Sequence, residues 1–271
     1  MSAFIAACVQ LRSSRDVGRN VAEASALIEE AVAKGAQFVA TPENTSLMEA
    51  DRALLFEKAK PEEDDTALAA FCKLSAAKKI WTLVGSLPIK IAADKLANRS
   101  FLIAPDGSVA ARYDKIHMFD VDLGNGESYR ESKNFGPGDK AVTHDLPWGR
   151  LGMTVCYDLR FPHLYRTLAK AGASFLSVPS AFTKPTGEAH WHVLLRARAI
   201  ESGAFVFAPA QGGRHENGRE TYGHSLIIAP WGEVMAEAGI DPCVITAEID
   251  PAKVAEARTR VPSLTHDRPF T

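Results

Sequence analysis

Short apolar runs rich in β-branched residues alternate along this chain with stretches in which apolar positions recur every three to four residues, and turn residues mark the joins. The first pattern is that of buried strands and the second that of amphipathic helices, so the alternation predicts βα units around a buried sheet, an α/β fold. Residues 4–9 are expected to form the first strand. Over 20–34, Val21, Ala24, Leu27, Ile28 and Ala31 share one helical face, and 37–41 predicts a second strand stopped by Pro42. A helix over 66–78, with Leu68, Phe71, Cys72 and Leu74 inward, leads to a strand through Trp81, Leu83 and Val84, which makes Cys72 a packing residue. Pro105-Asp106-Gly107 and Pro230-Trp231-Gly232 predict turns joining 100–104 to 109–113 and 226–229 to 234–236, so the sheet structure is not purely parallel. Further strands are expected over 151–155, 175–179, 204–209 and 244–249, and helices over 163–171 and 188–202.

No linker-like seam, repeat or low-complexity tract interrupts this pattern, and 271 residues suit one large α/β unit, so a single domain over 1–271 is expected. The segment 116–141 is rich in Asp, Gly, Ser and Asn, and ordered loops of that length are usually functional. A formal net charge of -2, without a long basic block, argues against a nucleic-acid partner. The apolar run 3–9 is too short for a bilayer span and lacks the basic start of a signal peptide, so no membrane association is expected. Cys8, Cys72, Cys156 and Cys243 stand far apart with no CxxC pair, which fits a reducing compartment and predicts a cytoplasmic protein.

No G-x-S-x-G elbow, P-loop, G-x-G-x-x-G or H-E-x-x-H is present. His190 and His192 are two apart, which sets them about 200° apart on a helix, so no shared metal site is expected there. What remains is Glu43, Lys115 and Cys156, each just past the end of a predicted strand, where ligands of α/β sheets collect. A carboxylate can take the thiol proton, and an ammonium can stabilise the oxyanion of an attacked amide. The Cys156 thiol would have its pKa lowered by free backbone N–H groups of the turn that follows, with the Tyr157 N–H as an oxyanion donor. Taken singly, Cys156 could be a small buried hydrophobe, Glu43 a helix cap and Lys115 a solvated surface residue.

The local sequences Thr41-Pro42-Glu43-Asn44, Tyr113-Asp114-Lys115-Ile116-His117 and Val155-Cys156-Tyr157-Asp158-Leu159-Arg160-Phe161-Pro162 resemble, in order, the three signature segments of the nitrilase superfamily. The likeness continues through Tyr129-Arg130-Glu131-Ser132, Pro179-Ser180-Ala181-Phe182-Thr183 and Tyr222-Gly223-His224-Ser225, and covers the whole chain. The resemblance implies a four-layer αββα sandwich of two mixed sheets. It implies Glu43 as general base, Lys115 as oxyanion stabiliser, Cys156 as the nucleophile that forms a thioester, and Glu131 as a second carboxylate positioning the lysine and water. Glu127, in a Gly-Asn-Gly stretch, is the other acid available for that last role. Gln211-Gly212-Gly213-Arg214-His215 with Pro230-Trp231-Gly232 is most similar to the branch that hydrolyses deaminated glutathione, an amide whose keto-acid carboxylate needs a cation. Arg160 is expected to supply that clamp, with an ion pair to Asp158 as its structural alternative. Phe182 and Thr186 match pocket positions, as apolar wall and hydroxyl donor. His190 and Trp191 are expected to be helix packing, and Arg196 and Arg198 to form ion pairs within the chain or between subunits. The alternatives to deaminated glutathione are omega-amidase action on 2-oxoglutaramate or a similar small monoamide and, from another class, an idle binding partner. True nitrile hydrolysis is disfavoured. The resemblance further implies a homodimer or larger homo-oligomer, with helix 163–171 as a contact, and chemistry that needs no cofactor.

Overall fold

The computed structural model describes residues 2–124 and 126–269. The chain begins with β1 (Phe4–Gln10), α1 (Val17–Ala33), β2 (Phe38–Ala40), α2 (Arg52–Lys58), α3 (Thr66–Lys78), β3 (Trp81–Lys90), β4 (Leu96–Ile103) and β5 (Val109–Asp114). A small hairpin, β6 (Asp120–Gly124) and β7 (Glu127–Arg130), precedes β8 (Val142–Leu146), β9 (Gly149–Met153), α4 (Pro162–Lys170), β10 (Ala173–Ser177), α5 (Lys184–Ser202) and β11 (Phe205–Ala208). A second hairpin, β12 (Gly212–Arg214) and β13 (Glu220–Tyr222), is followed by β14 (Leu226–Ile228), β15 (Val234–Glu237), β16 (Cys243–Ile249) and α6 (Ala252–Arg260).

The long strands form two six-stranded sheets, ordered β16-β1-β2-β3-β4-β5 and β15-β14-β11-β10-β9-β8. Each has a parallel centre, β1-β2-β3 in one and β9-β10-β11 in the other, with antiparallel flanks. The two-residue period of β1 explains the layering. Ala6 and Cys8 point into a core shared with the second sheet, where Phe4 stacks on Trp148 and Phe38 meets Phe207. Ala7 and Val9 point the other way, against Ala24 and Ile28 of α1 and Phe71 of α3. On the far side of the second sheet, Leu164 and Leu168 of α4 and Trp191 and Leu195 of α5 complete the same core. The result is the four-layer αββα sandwich.

Several boundaries differ from the sequence expectation for local reasons. α1 starts at Val17 because the Asp16 carboxylate accepts the Arg19 N–H and caps the helix there. α5 starts at Lys184, with a proline in its first turn. β3 and β4 are longer than expected because Leu87 to Lys90 pair with Leu96 to Arg99 beyond a bulge, a register that apolar spacing does not reveal. β8, α2 and α6 have no counterpart among the expected elements; α2 and α6 are short and bury few apolar residues. The helix expected over 163–171 turns a polar side outward: His163, Thr167 and Lys170 are exposed, and Arg166 and Lys170 pair with Asp267. Among the described residues no helix is long and apolar enough to cross a membrane.

Candidate active site

Glu43 lies beyond the carboxyl end of β2 and Lys115 beyond that of β5, in one sheet, while Cys156 lies beyond that of β9 in the other. The facing sheets bring the three together. Close approach beneath them depends on Gly85: a Cβ there would fall 2.1 Å from the Thr41 carbonyl oxygen and 2.5 Å from Pro179. The Lys115 Nζ donates to Glu43 Oε1 at 2.9 Å and to Glu131 Oε2 at 2.8 Å. Asn98 Nδ2 donates to the same two carboxylates, at 2.9 Å and 3.0 Å. Backbone groups engage them too: Glu43 Oε2 accepts the Ala181 N–H, and Glu131 Oε2 accepts the Phe119 N–H as well as the ammonium. Cys156 lines the same cavity as Glu43 and Lys115, near enough for the Glu43 charge to act on its thiol. Lys115 is 2% exposed and Glu43 4%, so these charges lie in a poorly hydrated space that they tolerate by facing one another. Of the two acids available as a second carboxylate, Glu131 reaches the lysine; Glu127 is exposed and accepts the Tyr129 hydroxyl.

The protonation states follow from this arrangement. Burial alone would raise Glu43, but Lys115, the neighbouring Cys156 thiol and Arg219 outweigh it, so its pKa lies below 4.5. Burial alone would lower Lys115, but Glu131 and Glu43 reverse this and hold the ammonium well above 10.5. Burial and the adjacent Glu43 charge push the Cys156 thiol upward against the opposing pull of Lys115. This corrects the expectation of a thiol with a lowered pKa: the turn's backbone groups do not offset desolvation next to an anion. The resting set is therefore a carboxylate, an ammonium and a neutral thiol, which suits proton removal in concert with attack.

Cys156 has φ 50°, in the left-handed region that side chains seldom occupy, and it opens a tight turn over Cys156–Arg160. Its N–H donates to the Pro179 carbonyl at 2.9 Å. Asp158, fully buried, fixes the turn: it accepts the Val155 N–H and Tyr113 hydroxyl on Oδ2, and the His117 N–H and Nδ1 on Oδ1. One carboxylate thus joins the Cys156 turn to the residues on both sides of Lys115. Arg198 pairs with Glu201 and also donates twice to the Leu159 carbonyl of the same turn. Arg196 has no ion pair within the chain among the described residues and donates to the Gly232 carbonyl.

A cavity of about 410 Å³ opens onto Cys156, walled by Leu47, Met48, Phe119, Tyr129 and Phe182, and carrying Arg130, Arg160 and Arg219. Phe119, Tyr129, Arg130 and Glu131 come from the long segment 116–141, which explains its length. Arg160 is at the rim, 5.4 Å over the Phe182 ring and 3.3 Å from His190 Nδ1; it makes no pair with Asp158. Thr186 lines the cavity with its hydroxyl bonded to that of Thr183. The Tyr157 side chain is outside the cavity lining, edge-on to Phe119 and Phe161, and its N–H has no hydrogen-bond partner among the described residues. Trp191 is buried as expected, whereas His190 is exposed at Arg160 rather than packed. Sequence reasoning did not find Asn98 or Arg219. Asn98 left a trace, a polar residue inside the apolar run of β4. Nothing local marks Arg219, whose guanidinium lies 5.3 Å from the Tyr129 ring with its Nε buried and unpartnered.

A thiol on the same cavity as a carboxylate paired with a buried ammonium, where the strand ends of two facing mixed sheets converge, defines a class of hydrolase directed at carbon–nitrogen bonds. The sequence profile of that class, described as Carbon-nitrogen hydrolase, matches residues 5–259, and the chain belongs to this family. The chain is 42% identical to a deaminated glutathione amidase of Synechocystis sp. over 98% of both chains, and 35% identical to the human omega-amidase NIT2 over 97% of this chain and 94% of that one. Among solved structures, the NitFhit protein of C. elegans superposes with a TM-score of 0.93 at 35% identity, covering 99% of this chain and 66% of that one. Saccharomyces cerevisiae Nit3, a member of branch 10 of the nitrilase superfamily, superposes with a TM-score of 0.88 at 32% identity, over 99% of this chain and 97% of that one.

Proposed function

We propose that the chain acts as a single hydrolase unit over residues 1–271 and cleaves deaminated glutathione to 2-oxoglutarate and cysteinylglycine through a thioester on Cys156. Glu43 takes the thiol proton as sulfur bonds to the amide carbon, and Lys115 with the Tyr157 N–H stabilises the oxyanion. The proton on Glu43 passes to the leaving nitrogen, the C–N bond breaks and cysteinylglycine departs. Water, deprotonated by Glu43 and oriented by Glu131, then attacks the thioester, and the acid leaves as the thiol regains its proton. Every step is carried by side chains and one backbone N–H of this chain, with no cofactor.

The observation that carries this reading is the Lys115 ammonium gripped by Glu43 and Glu131 with the Cys156 thiol beside them. The substrate assignment is supported by the named relatives and by guanidiniums on the cavity: deaminated glutathione has a carboxylate at each end with the scissile amide between, and Arg160 and Arg219 are two cations that can receive them. Phe182 would form the apolar wall and Thr186 a hydroxyl contact. We assign the protein to the cytoplasm, as a homodimer or larger homo-oligomer.

Intact-mass measurement with a slow substrate is expected to show an acyl adduct that Cys156→Ala lacks. Full turnover by that variant ends the proposal. Paired rates on deaminated glutathione and 2-oxoglutaramate separate a cysteinylglycine leaving group from ammonia; faster turnover of the second would favour the omega-amidase function named for human NIT2. Silence toward every amide would favour an idle binding partner.

A further inference from the structure

Away from the cavity, His192 of α5, His224 just before β14 and Glu237 at the end of β15 point at one spot. His192 Nε2 and His224 Nδ1 donate to the same oxygen, Glu237 Oε1, at 3.0 Å and 2.9 Å. All three side chains keep contact with solvent, so an ion and a water could enter. We infer that these three residues form a binding site for a divalent first-row transition ion of the zinc type, two imidazoles and a carboxylate with an open fourth position. Nothing in the proposed amide chemistry uses it.

The backbone holds His224 ready. It has φ 54°, its N–H donates to the Gly239 carbonyl at 2.8 Å, and its own carbonyl accepts the Trp191 indole N–H at 2.7 Å. The Tyr222 ring stacks on its imidazole with centroids 4.4 Å apart. Glu237 is set by pairing with Leu226 across the hairpin. Two nitrogens and an oxygen bound tetrahedrally to zinc stand about 3.3 Å from one another; each nitrogen needs to part from Glu237 Oε1 by only a few tenths of an ångström, and the three donor atoms already lie within 4.8 Å of one another. On binding, each neutral imidazole moves its proton to the other ring nitrogen and offers the freed lone pair; nothing is oxidised. Among the described residues neither of those other nitrogens, His192 Nδ1 and His224 Nε2, is hydrogen-bonded, so both can accept the proton. The ion would pin α5 to the β14–β15 edge of the second sheet. The sequence conceals the site because its ligands come from three separate elements, whereas His190 and His192, only two residues apart, diverge.

The test is a calorimetric titration of the chelator-stripped Cys156→Ala chain with zinc chloride, the substitution preventing the site thiol from competing. One equivalent is expected to bind, with affinity lost by more than about 100-fold in His224→Ala, since even the outer partners of metal ligands cost 10–100-fold. His192→Ala and Glu237→Gln should weaken it by at least about tenfold, and His190→Ala should leave it unchanged. Equal affinity in parent and His224→Ala, or no binding by the parent, overturns the inference. If a variant does not fold, cobalt absorption of the parent chain decides: ligand-field bands without a sulfur charge-transfer band support the site, and a sulfur band or no spectrum refutes it.

Discussion

Asp158→Asn perturbs the joint between the Cys156 turn and the segment carrying Lys115. The native carboxylate takes four donors, two on each oxygen. An amide replaces one of those oxygens with a donor. If the NH2 faces Tyr113 and Val155, the hydroxyl can rotate to accept, but the Val155 N–H is stranded. If it faces His117, the imidazole can change tautomer to accept, but the His117 N–H is stranded. Either way one buried backbone N–H loses its partner, which costs about 1–3 kcal/mol. At about 2 kcal/mol the melting temperature should fall by about 4–6 °C for a chain of this size. Tyr113→Phe removes one donor and leaves none opposed, so its cost should be near 1 kcal/mol. Because a displacement of about 1 Å between reacting groups costs about 100-fold in rate, Asp158→Asn should also lose turnover far beyond its loss of stability. Thermal unfolding by circular dichroism and steady-state amide hydrolysis test both effects. An Asp158→Asn chain that melts and turns over like the parent would refute the joint.

Lys115→Met should lower kcat by about 100- to 1000-fold, as for loss of one oxyanion donor, and leave Glu43 and Glu131 facing each other through Asn98; the acid limb of the residual activity should then move up in pH. In the parent, kcat/KM measured against pH should hold across the neutral range. Its acid limb should fall below 4.5, where Glu43 gains its proton, and Lys115 should impose no alkaline limb until above 10.5. Burial holds His215 neutral and lowers its pKa from 6.5 to about 4, between the Ser13 carbonyl and the Thr221 hydroxyl. The unfolded chain therefore binds a proton over that window that the folded chain refuses, and stability should drop by about 3 kcal/mol as pH falls from 6.5 to 4. Denaturant unfolding of the parent and His215→Gln across that range checks this; parallel slopes would exclude the histidine as the cause.

The architecture was legible wherever period and turn chemistry agreed, as in β1, α3 and the turn at Pro105-Asp106-Gly107. It was least legible where pairing sets the element, as in β8, whose alternation is masked by Thr143, His144 and Asp145. Glu43, Lys115 and Cys156 could be singled out because each follows a predicted strand, but position alone made a weak case that the resemblance strengthened. Resemblance supplied Glu131, whose place in a short turn after β7 has no pattern of its own. Arg219 and the thiol's protonation state were out of reach, because the first depends on how the β12–β13 hairpin folds over the cavity and the second on burial beside an anion.

The Glu43 carboxylate and the Lys115 ammonium hang from one sheet and the Cys156 sulfur from the other, so in the proposed chemistry the reacting distance also gauges how the two halves of the molecule are seated. A partially loosened form that kept its helices and strands but let the halves slide would look nearly native to far-ultraviolet spectroscopy and yet be inert. For this chain, loss of turnover should therefore be an early warning of unfolding, ahead of any loss of secondary structure.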